Sequence, residues 1–190
     1  MCCRAYGGYP TNQSEAAREY GEYGCDLPTQ TFELMLEYVR DEIKPDVVFW
    51  TGDVPPHDMW NYNTEYVQTY QQNLTDYMKE YFSEFSVYPL EGNHDFGTAN
   101  CQDFNEKDPM IDFNLEQWQC YLDEQAQKTY EKAGYYSQTL TLSNGTNYQK
   151  VRVIAVTTQP MYQFNFYLWS TREDPGDELQ WLSDLLHQME

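Results

Sequence analysis

Two short apolar runs, each followed directly by a polar turn, constrain this chain more than any other feature. Val47–Trp50 is followed by Thr51-Gly52-Asp53, and Val87–Leu90 is followed by Glu91-Gly92-Asn93-His94-Asp95. Between them, residues 64–82 place apolar side chains at steps of three and four, which predicts a crossover helix. Two strands joined in this way deliver their carboxyl ends to one side of a sheet. The sequence therefore predicts an α/β fold with polar groups at that side.

The rest of the chain predicts further helices and a hairpin. A helix is expected from Thr29 to Ile43, with apolar residues at helical spacing and Lys44-Pro45 at its end. A helix is also expected over Leu115–Lys132, and a hairpin is expected from the β-rich runs Tyr135–Leu142 and Val151–Val156 around Ser143-Asn144-Gly145-Thr146. Asp174-Pro175-Gly176 should introduce a last helix, whose apolar side would consist of Leu179, Leu182, Leu185 and Leu186.

The length fits a single domain. With 190 residues, the chain can bury one core and is too short for two domains. We expect residues 1–28, which lack periodicity, to be a loop tied by disulfide, and residues 29–190 to be the α/β body. The sequence contains no run of about 18 apolar residues that would predict a transmembrane helix, and no signal peptide is visible in it.

The charge of the chain limits its partners. A formal net charge of -20 repels a phosphate backbone, so we expect no nucleic-acid partner. An aromatic content of 17% supplies enough large side chains for a core and argues against disorder.

Cysteines and glycosylation sequons favour an oxidising compartment. The five cysteines are Cys2, Cys3, Cys25, Cys101 and Cys120, and Asn12, Asn73 and Asn144 begin N-x-S/T triplets. A Cys101–Cys120 disulfide would tie the loop over 96–114 to the helix that follows it. The absence of a visible signal peptide contradicts this compartment.

The polar turns carry the candidate chemistry. Asp53, Asn93 and either His57 or His94 are ligand types for divalent metals, or catalytic groups, and a carboxylate can bridge two metals about 4 Å apart. Each turn taken alone is more often only a turn. Two of them in tandem, each with a histidine, favour a site. His187 belongs to no ligand motif and suits the end of a helix.

These turns resemble two motif blocks of the calcineurin-like metallophosphoesterases. Five sequence segments are similar to those of the acid sphingomyelinases and the acid sphingomyelinase-like phosphodiesterases. They are Cys2-Cys3-Arg4, Cys25-Asp26-Leu27-Pro28, Trp50 to Trp60, Tyr88 to His94, and Asp174-Pro175-Gly176 with Leu179 to Leu182. The resemblance implies a four-layer metallophosphoesterase-type β-sandwich flanked by helices, incomplete in this chain.

The resemblance also implies roles for the site residues. Asp53 would bridge two zinc ions and Asn93 would bind one of them. His94 would be the general acid for the leaving oxygen, and His57 would hold or protonate the phosphate. Asp95 would orient His94 by accepting its other ring N–H.

Other blocks of the family are absent from the sequence. An Asp-x-His block would lie before Cys2, and Gly-His and Gly-His-x-His blocks would lie after Glu190, so this chain alone should bind zinc poorly. The resemblance pairs Cys3 with Cys25 and leaves the partner of Cys2 upstream. We therefore expect an internal fragment of a longer secreted or lysosomal enzyme.

The leading hypothesis is a zinc-dependent phosphodiester hydrolase acting on sphingomyelin, which would lie at a membrane surface, or on a soluble phosphodiester. The alternative is a non-catalytic acidic binding module, or an inactive fragment of such an enzyme, in which the two turns are only structural.

Overall fold

A computed structural model of the chain describes residues 8, 10–143, 148–170 and 173–189. The helices are α1 (Thr29–Tyr38), α2 (Thr64–Phe82), α3 (Pro109–Trp118), α4 (Glu124–Ala133) and α5 (Glu178–Met189). The strands are β1 (Val47–Trp50), β2 (Ser86–Pro89), β3 (Tyr136–Ser143) and β4 (Tyr148–Ala155). The α/β class is confirmed. The division at residue 28 stays a prediction, as does the pairing of Cys2 and Cys3, which lie outside the described residues.

The predicted strand–helix–strand unit is present. β1 and β2 pair in parallel, with Val47 opposite Ser86 and Trp50 opposite Pro89, and α2 connects them. The helix starts where the Asn63 side chain accepts a hydrogen bond from the Tyr66 backbone N–H. The carboxyl ends of both strands therefore lie side by side, as the sequence indicated.

β3 and β4 form the predicted hairpin as an antiparallel pair, with Tyr136 opposite Ala155 and Ser143 opposite Tyr148. The expected turn residues 144–146, and with them the sequon at Asn144, lie outside the described residues. In the described part of the chain the strands form these two separate pairs, and the layered sandwich implied by the resemblance is correspondingly incomplete.

The helix predicted over Leu115–Lys132 is instead two helices, α3 and α4. The Asp123 side chain accepts a hydrogen bond from the Ala126 backbone N–H and starts α4. The Gln127 side chain donates to the Leu122 carbonyl at 2.8 Å, which secures the connection. The break allows both Trp118 and Leu122 to be buried.

The predicted disulfide between Cys101 and Cys120 is wrong, because both cysteines are free. Cys101 is buried, with its Sγ 3.5 Å from the Phe164 carbonyl oxygen. Cys120 follows the end of α3 in the connection to α4 and is exposed. Cys25 is disulfide-bonded.

The last helix begins as expected, but its apolar side is only partly covered. Asp174 accepts hydrogen bonds from the backbone N–H groups of Leu179 and Gln180 at 3.0 and 2.9 Å. Of the four predicted leucines, Leu185 is buried, whereas Leu179 and Leu186 are about half exposed. None of the helices in the described part of the chain is long and apolar enough to cross a bilayer.

A chain of aromatic rings forms the centre of the core. Trp118 packs edge-on against Trp50 and Tyr130, with ring centroids 5.1 and 5.7 Å apart, and Tyr130 contacts Tyr136. The Trp118 indole N–H donates to the Thr75 hydroxyl of α2 at 3.3 Å. This cluster packs the parallel strands against α2, α3 and α4, and so holds the ends of the strands in place.

Replacing Trp118 by alanine should destabilise the fold strongly. The side chain is fully buried and its loss leaves a large cavity, so the free energy of unfolding should fall by about 3–5 kcal/mol. Chemical denaturation measures this. Trp169→Ala is the matched control, because Trp169 is 83% exposed and its loss should change stability by about 0.5 kcal/mol or less. Equal effects of the two variants would contradict this description of the core.

Glu178 should make stability depend on pH. Burial raises the pKa of this carboxyl to about 7, although one oxygen accepts the Thr157 backbone N–H at 2.7 Å. The stabilising contribution of the protonated side chain is complete below the unfolded pKa and is lost as pH rises through about 7.

The variant Glu178→Gln keeps the oxygen that accepts from Thr157 and does not titrate. Between about pH 4.5 and about pH 8, the wild type should lose on the order of 2–3 kcal/mol relative to the variant. The other buried acids are common to both proteins and cancel in this comparison. Parallel stability curves across this range would refute the assignment.

Candidate active site

Two glycines bring the turns after β1 and β2 into close contact. Gly52 and Asp53 both have left-handed backbone angles, with φ of 81° and 59°. A side chain on Gly52 would collide with the Gly92 backbone nitrogen and the Asp95 carboxylate, and one on Gly92 would collide with the Asp53 carboxylate. The two turns therefore touch backbone to backbone, which explains glycine at both positions.

The Asp95 carboxylate joins the two turns. It is fully buried and accepts hydrogen bonds from the backbone N–H groups of Asp53, Val54 and Gly92 at 2.7, 2.9 and 2.7 Å. Burial raises its pKa to about 6, while these three hydrogen bonds act in the opposite direction. The Asp95 side chain therefore binds the backbone of both turns.

The expectation that Asp95 orients His94 is wrong. Both carboxylate oxygens of Asp95 point to backbone N–H groups, and the ring Nδ1 of His94 lies instead 3.4 Å from the Tyr62 hydroxyl. The Tyr62 hydroxyl donates to the Pro56 carbonyl at 2.9 Å, so it accepts from the imidazole. The backbone N–H groups of the two turns would otherwise be unpaired, and they bind the Asp95 carboxylate in place of the adjacent histidine.

Asp53 and Asn93 present oxygen atoms at the junction of the turns. One oxygen of Asp53 accepts the His94 backbone N–H at 3.0 Å. The Asn93 amide nitrogen donates to the Asn100 side-chain oxygen at 2.7 Å, and this leaves its own amide oxygen as an acceptor or ligand. Asn100 also donates its backbone N–H to the Asn93 carbonyl at 2.7 Å, which fixes the segment.

The two predicted histidines of the site lie together. The rings of His57 and His94 have centroids 5.2 Å apart and cross at 62°. The Nδ1 atom of His57 lies 2.7 Å from the Asp26 carboxylate, and the same carboxylate accepts the His57 backbone N–H at 3.2 Å. The third histidine, His187, is remote in sequence and binds the Ser183 carbonyl of its own helix at 2.7 Å.

A buried carboxylate supports the loop that carries His57. Asp58 accepts hydrogen bonds from the Tyr66 hydroxyl at 2.8 Å and from the Asn61 side chain at 3.0 Å. Burial, followed by nearby carboxylates, raises the pKa of Tyr62, which keeps its phenol protonated beside His94.

A second buried acid lies beneath the other turn. Glu91 is 5% exposed and accepts hydrogen bonds from the Asn114 amide at 2.9 Å and from the Tyr130 hydroxyl. Burial raises its pKa to about 8. Glu91 thus connects the β2 turn to α3 and α4.

Sequence reasoning missed Asp26 and Tyr62 as partners of the histidines. Asp26 stands 31 residues from His57, and Tyr62 stands 32 residues from His94. No local pattern links them. The only signal for Asp26 was its place in the Cys25-Asp26-Leu27-Pro28 segment that carries the family resemblance.

The donor set for a metal is of the right type but incomplete. Asp53 and Asn93 offer the oxygen ligands that divalent ions bind. Among the described residues, no group of three or more His, Cys, Asp or Glu side chains is placed to hold a metal ion. Two protein ligands are too few for the tetrahedral shell of zinc.

Comparison with known proteins identifies the class. Residues 27–189 match the calcineurin-like phosphoesterase family, so the chain belongs to this family of metallophosphoesterases, whose members use divalent metal ions. The family predicted from the two turns is thereby confirmed.

Several relatives are sphingomyelin phosphodiesterases. Sphingomyelin phosphodiesterase B of Dictyostelium discoideum is 34% identical over 100% of this chain and 29% of its own length. Sphingomyelin phosphodiesterase of Homo sapiens is 28% identical over 96% of this chain and 29% of its own length. The human cyclic GMP-AMP phosphodiesterase SMPDL3A is 26% identical over 98% of this chain and 39% of its own length. The chain thus spans less than half the length of these relatives.

Replacing Gly52 by alanine should separate the turns. The new Cβ would meet the Gly92 backbone, and φ is positive, so we expect a loss of at least about 2 kcal/mol in unfolding free energy. Gly24→Ala is the matched control, because a Cβ there meets nothing within 4 Å. Thermal and chemical denaturation compare the two variants, and a neutral Gly52→Ala would contradict the contact.

Proposed function

We propose that this chain forms part of the active site of a zinc-dependent phosphodiesterase of the acid sphingomyelinase type. The observation that carries the proposal is the meeting of Asp53, Asn93, His94 and His57 at the adjoining ends of two parallel strands. Membership of the metallophosphoesterase family and the names of the relatives support the same reaction class.

The side chains suggest a division of labour. Asp53 and Asn93 would hold zinc, which when bound would neutralise phosphoryl charge and activate water. His94 has its Nδ1 directed at Tyr62, so its Nε2 faces the site, and a ring that carries protons on both nitrogens can donate the Nε2 proton to the leaving oxygen. His57, whose ring centroid is 5.2 Å from that of His94, would hold the phosphoryl group from the other turn.

The substrate class is a phosphodiester, with sphingomyelin and a soluble phosphodiester as the two candidates that the relatives name. We also propose a secreted or lysosomal location for the protein. The bonded state of Cys25 and the exposure of the sequon residues Asn12 and Asn73 support that location.

The test is hydrolysis of a chromogenic phosphodiester and of sphingomyelin in detergent, with zinc content measured in parallel. Asp53→Asn and His94→Ala should each lower the rate by about 100-fold or more, and chelation of zinc should abolish it. His187→Ala is the matched histidine control, because that ring binds its own helix backbone, and it should leave the rate unchanged.

The assay should be run on this chain and on a chimaera in which residues 1–190 replace the matching segment of the Dictyostelium relative. An active chimaera that depends on Asp53 and His94 supports the proposal, whether or not the chain alone is active. A folded chimaera that neither binds zinc nor hydrolyses either substrate would favour the non-catalytic binding module instead.

A further inference from the structure

Asp26 makes a two-point contact with His57 that the proposed chemistry does not by itself require. One carboxylate oxygen lies 2.7 Å from the ring Nδ1, and the other accepts the His57 backbone N–H at 3.2 Å. The carboxylate therefore fixes both the ring and the peptide that carries it. A contact of this kind resists rotation of the side chain more than a single hydrogen bond would.

Stability alone does not account for this contact. The His57 side chain is 72% exposed and that of Asp26 is 34% exposed, and a pair in such a position contributes little to folding. An exposed imidazole without a partner would sample several rotamers and both neutral tautomers. The contact removes that freedom at a residue whose ring faces His94.

The carboxylate itself is held from both sides along the chain. The residue before it, Cys25, is disulfide-bonded, and Pro28, two residues after it, occupies the N-cap position of α1. α1 in turn packs on α2 through Phe32 and Tyr77, whose rings meet edge-on at 5.8 Å. The backbone at Asp26 is therefore held in place, and its side chain contacts the loop after β1.

We propose that Asp26 is a positioning residue that holds the His57 imidazole in its Nδ1–H tautomer and in one direction for its contact with the phosphodiester. The inference rests on the proposed function for its catalytic consequence. With the proton on Nδ1 pointing at Asp26, Nε2 is left to face the site, as an acceptor when the ring is neutral and as a donor when it is charged. The two histidines would then both be anchored through Nδ1, His57 by Asp26 and His94 by Tyr62.

A simpler interpretation is that Asp26 only ties the N-terminal segment to the body. The chain offers a matched control for that role. Glu33 of α1 accepts the Tyr77 hydroxyl at 2.8 Å, which is also a carboxylate contact between distant segments but involves no histidine. Asp26→Ala and Glu33→Ala both remove such a contact, and only the first should alter His57.

The first measurement is the tautomer of each histidine, read from nitrogen-15 ring shifts of the histidine-labelled chain at a pH where the rings are neutral. His187 provides an internal reference, because the Ser183 carbonyl can only accept and so fixes Nδ1–H there. We expect Nδ1–H for His57 in the wild type and in Glu33→Ala, and loss of that preference in Asp26→Ala. Asp26→Asn is the second variant, for use if Asp26→Ala does not fold. It keeps the size of the side chain but cannot accept from both His57 donors, so it should weaken the preference for Nδ1–H.

The second measurement is steady-state hydrolysis in the active form, chain or chimaera. Asp26→Ala should lower kcat about 10–100-fold with KM changed less, and Glu33→Ala should leave both near wild type. A wild-type His57 in the Nε2–H tautomer, or an Asp26→Ala variant with unchanged tautomer, would overturn the proposal. An altered tautomer with unchanged kcat, where His57→Ala is inactive, would overturn it as well. If neither form hydrolyses a phosphodiester, the proposed function fails, while the tautomers still decide whether Asp26 positions His57.

Discussion

The site depends on one buried carboxylate that holds two turns together. Asp95 accepts three backbone N–H groups, two from the turn after β1 and one from its own turn after β2. Without it, the backbone N–H groups of Asp53, Val54 and Gly92 would be unpaired, which costs free energy for each buried group. Because burial still raises the Asp95 pKa to about 6, this contact organises the backbone at an electrostatic cost.

The geometry of the candidate site follows from that contact. With the turns clamped and glycine at 52 and 92, Asp53 reaches the His94 backbone and Asn93 faces the same junction. The side chains themselves are then oriented by residues outside both turns, namely Asp26, Tyr62 and Asn100. The turns therefore determine where the backbone of these residues lies, and the surrounding segments determine the orientation of their side chains.

Local patterns predicted the elements and missed the contacts between them. Periodicity gave α2 with its observed ends and the pairing of two β runs, because burial of one face determines both. It joined α3 and α4 into one helix, since the cap of Asp123 lies within a stretch that is otherwise helical in pattern. The partners of the two histidines and the free state of Cys101 and Cys120 depend on tertiary packing, which spacing along the chain does not contain.

Three buried acids make the folded state more stable at mildly acidic pH, and for a common reason. Burial raises the pKa of Glu91, Asp95 and Glu178 to about 8, 6 and 7, so each stabilises the folded state more as pH falls through its own range. The net charge of -20 acts in the same direction, because protonation of surface carboxylates relieves repulsion. Glu91 and Asp95 flank the turn that carries Asn93 and His94, so the pH dependence of folding arises partly at the candidate site itself.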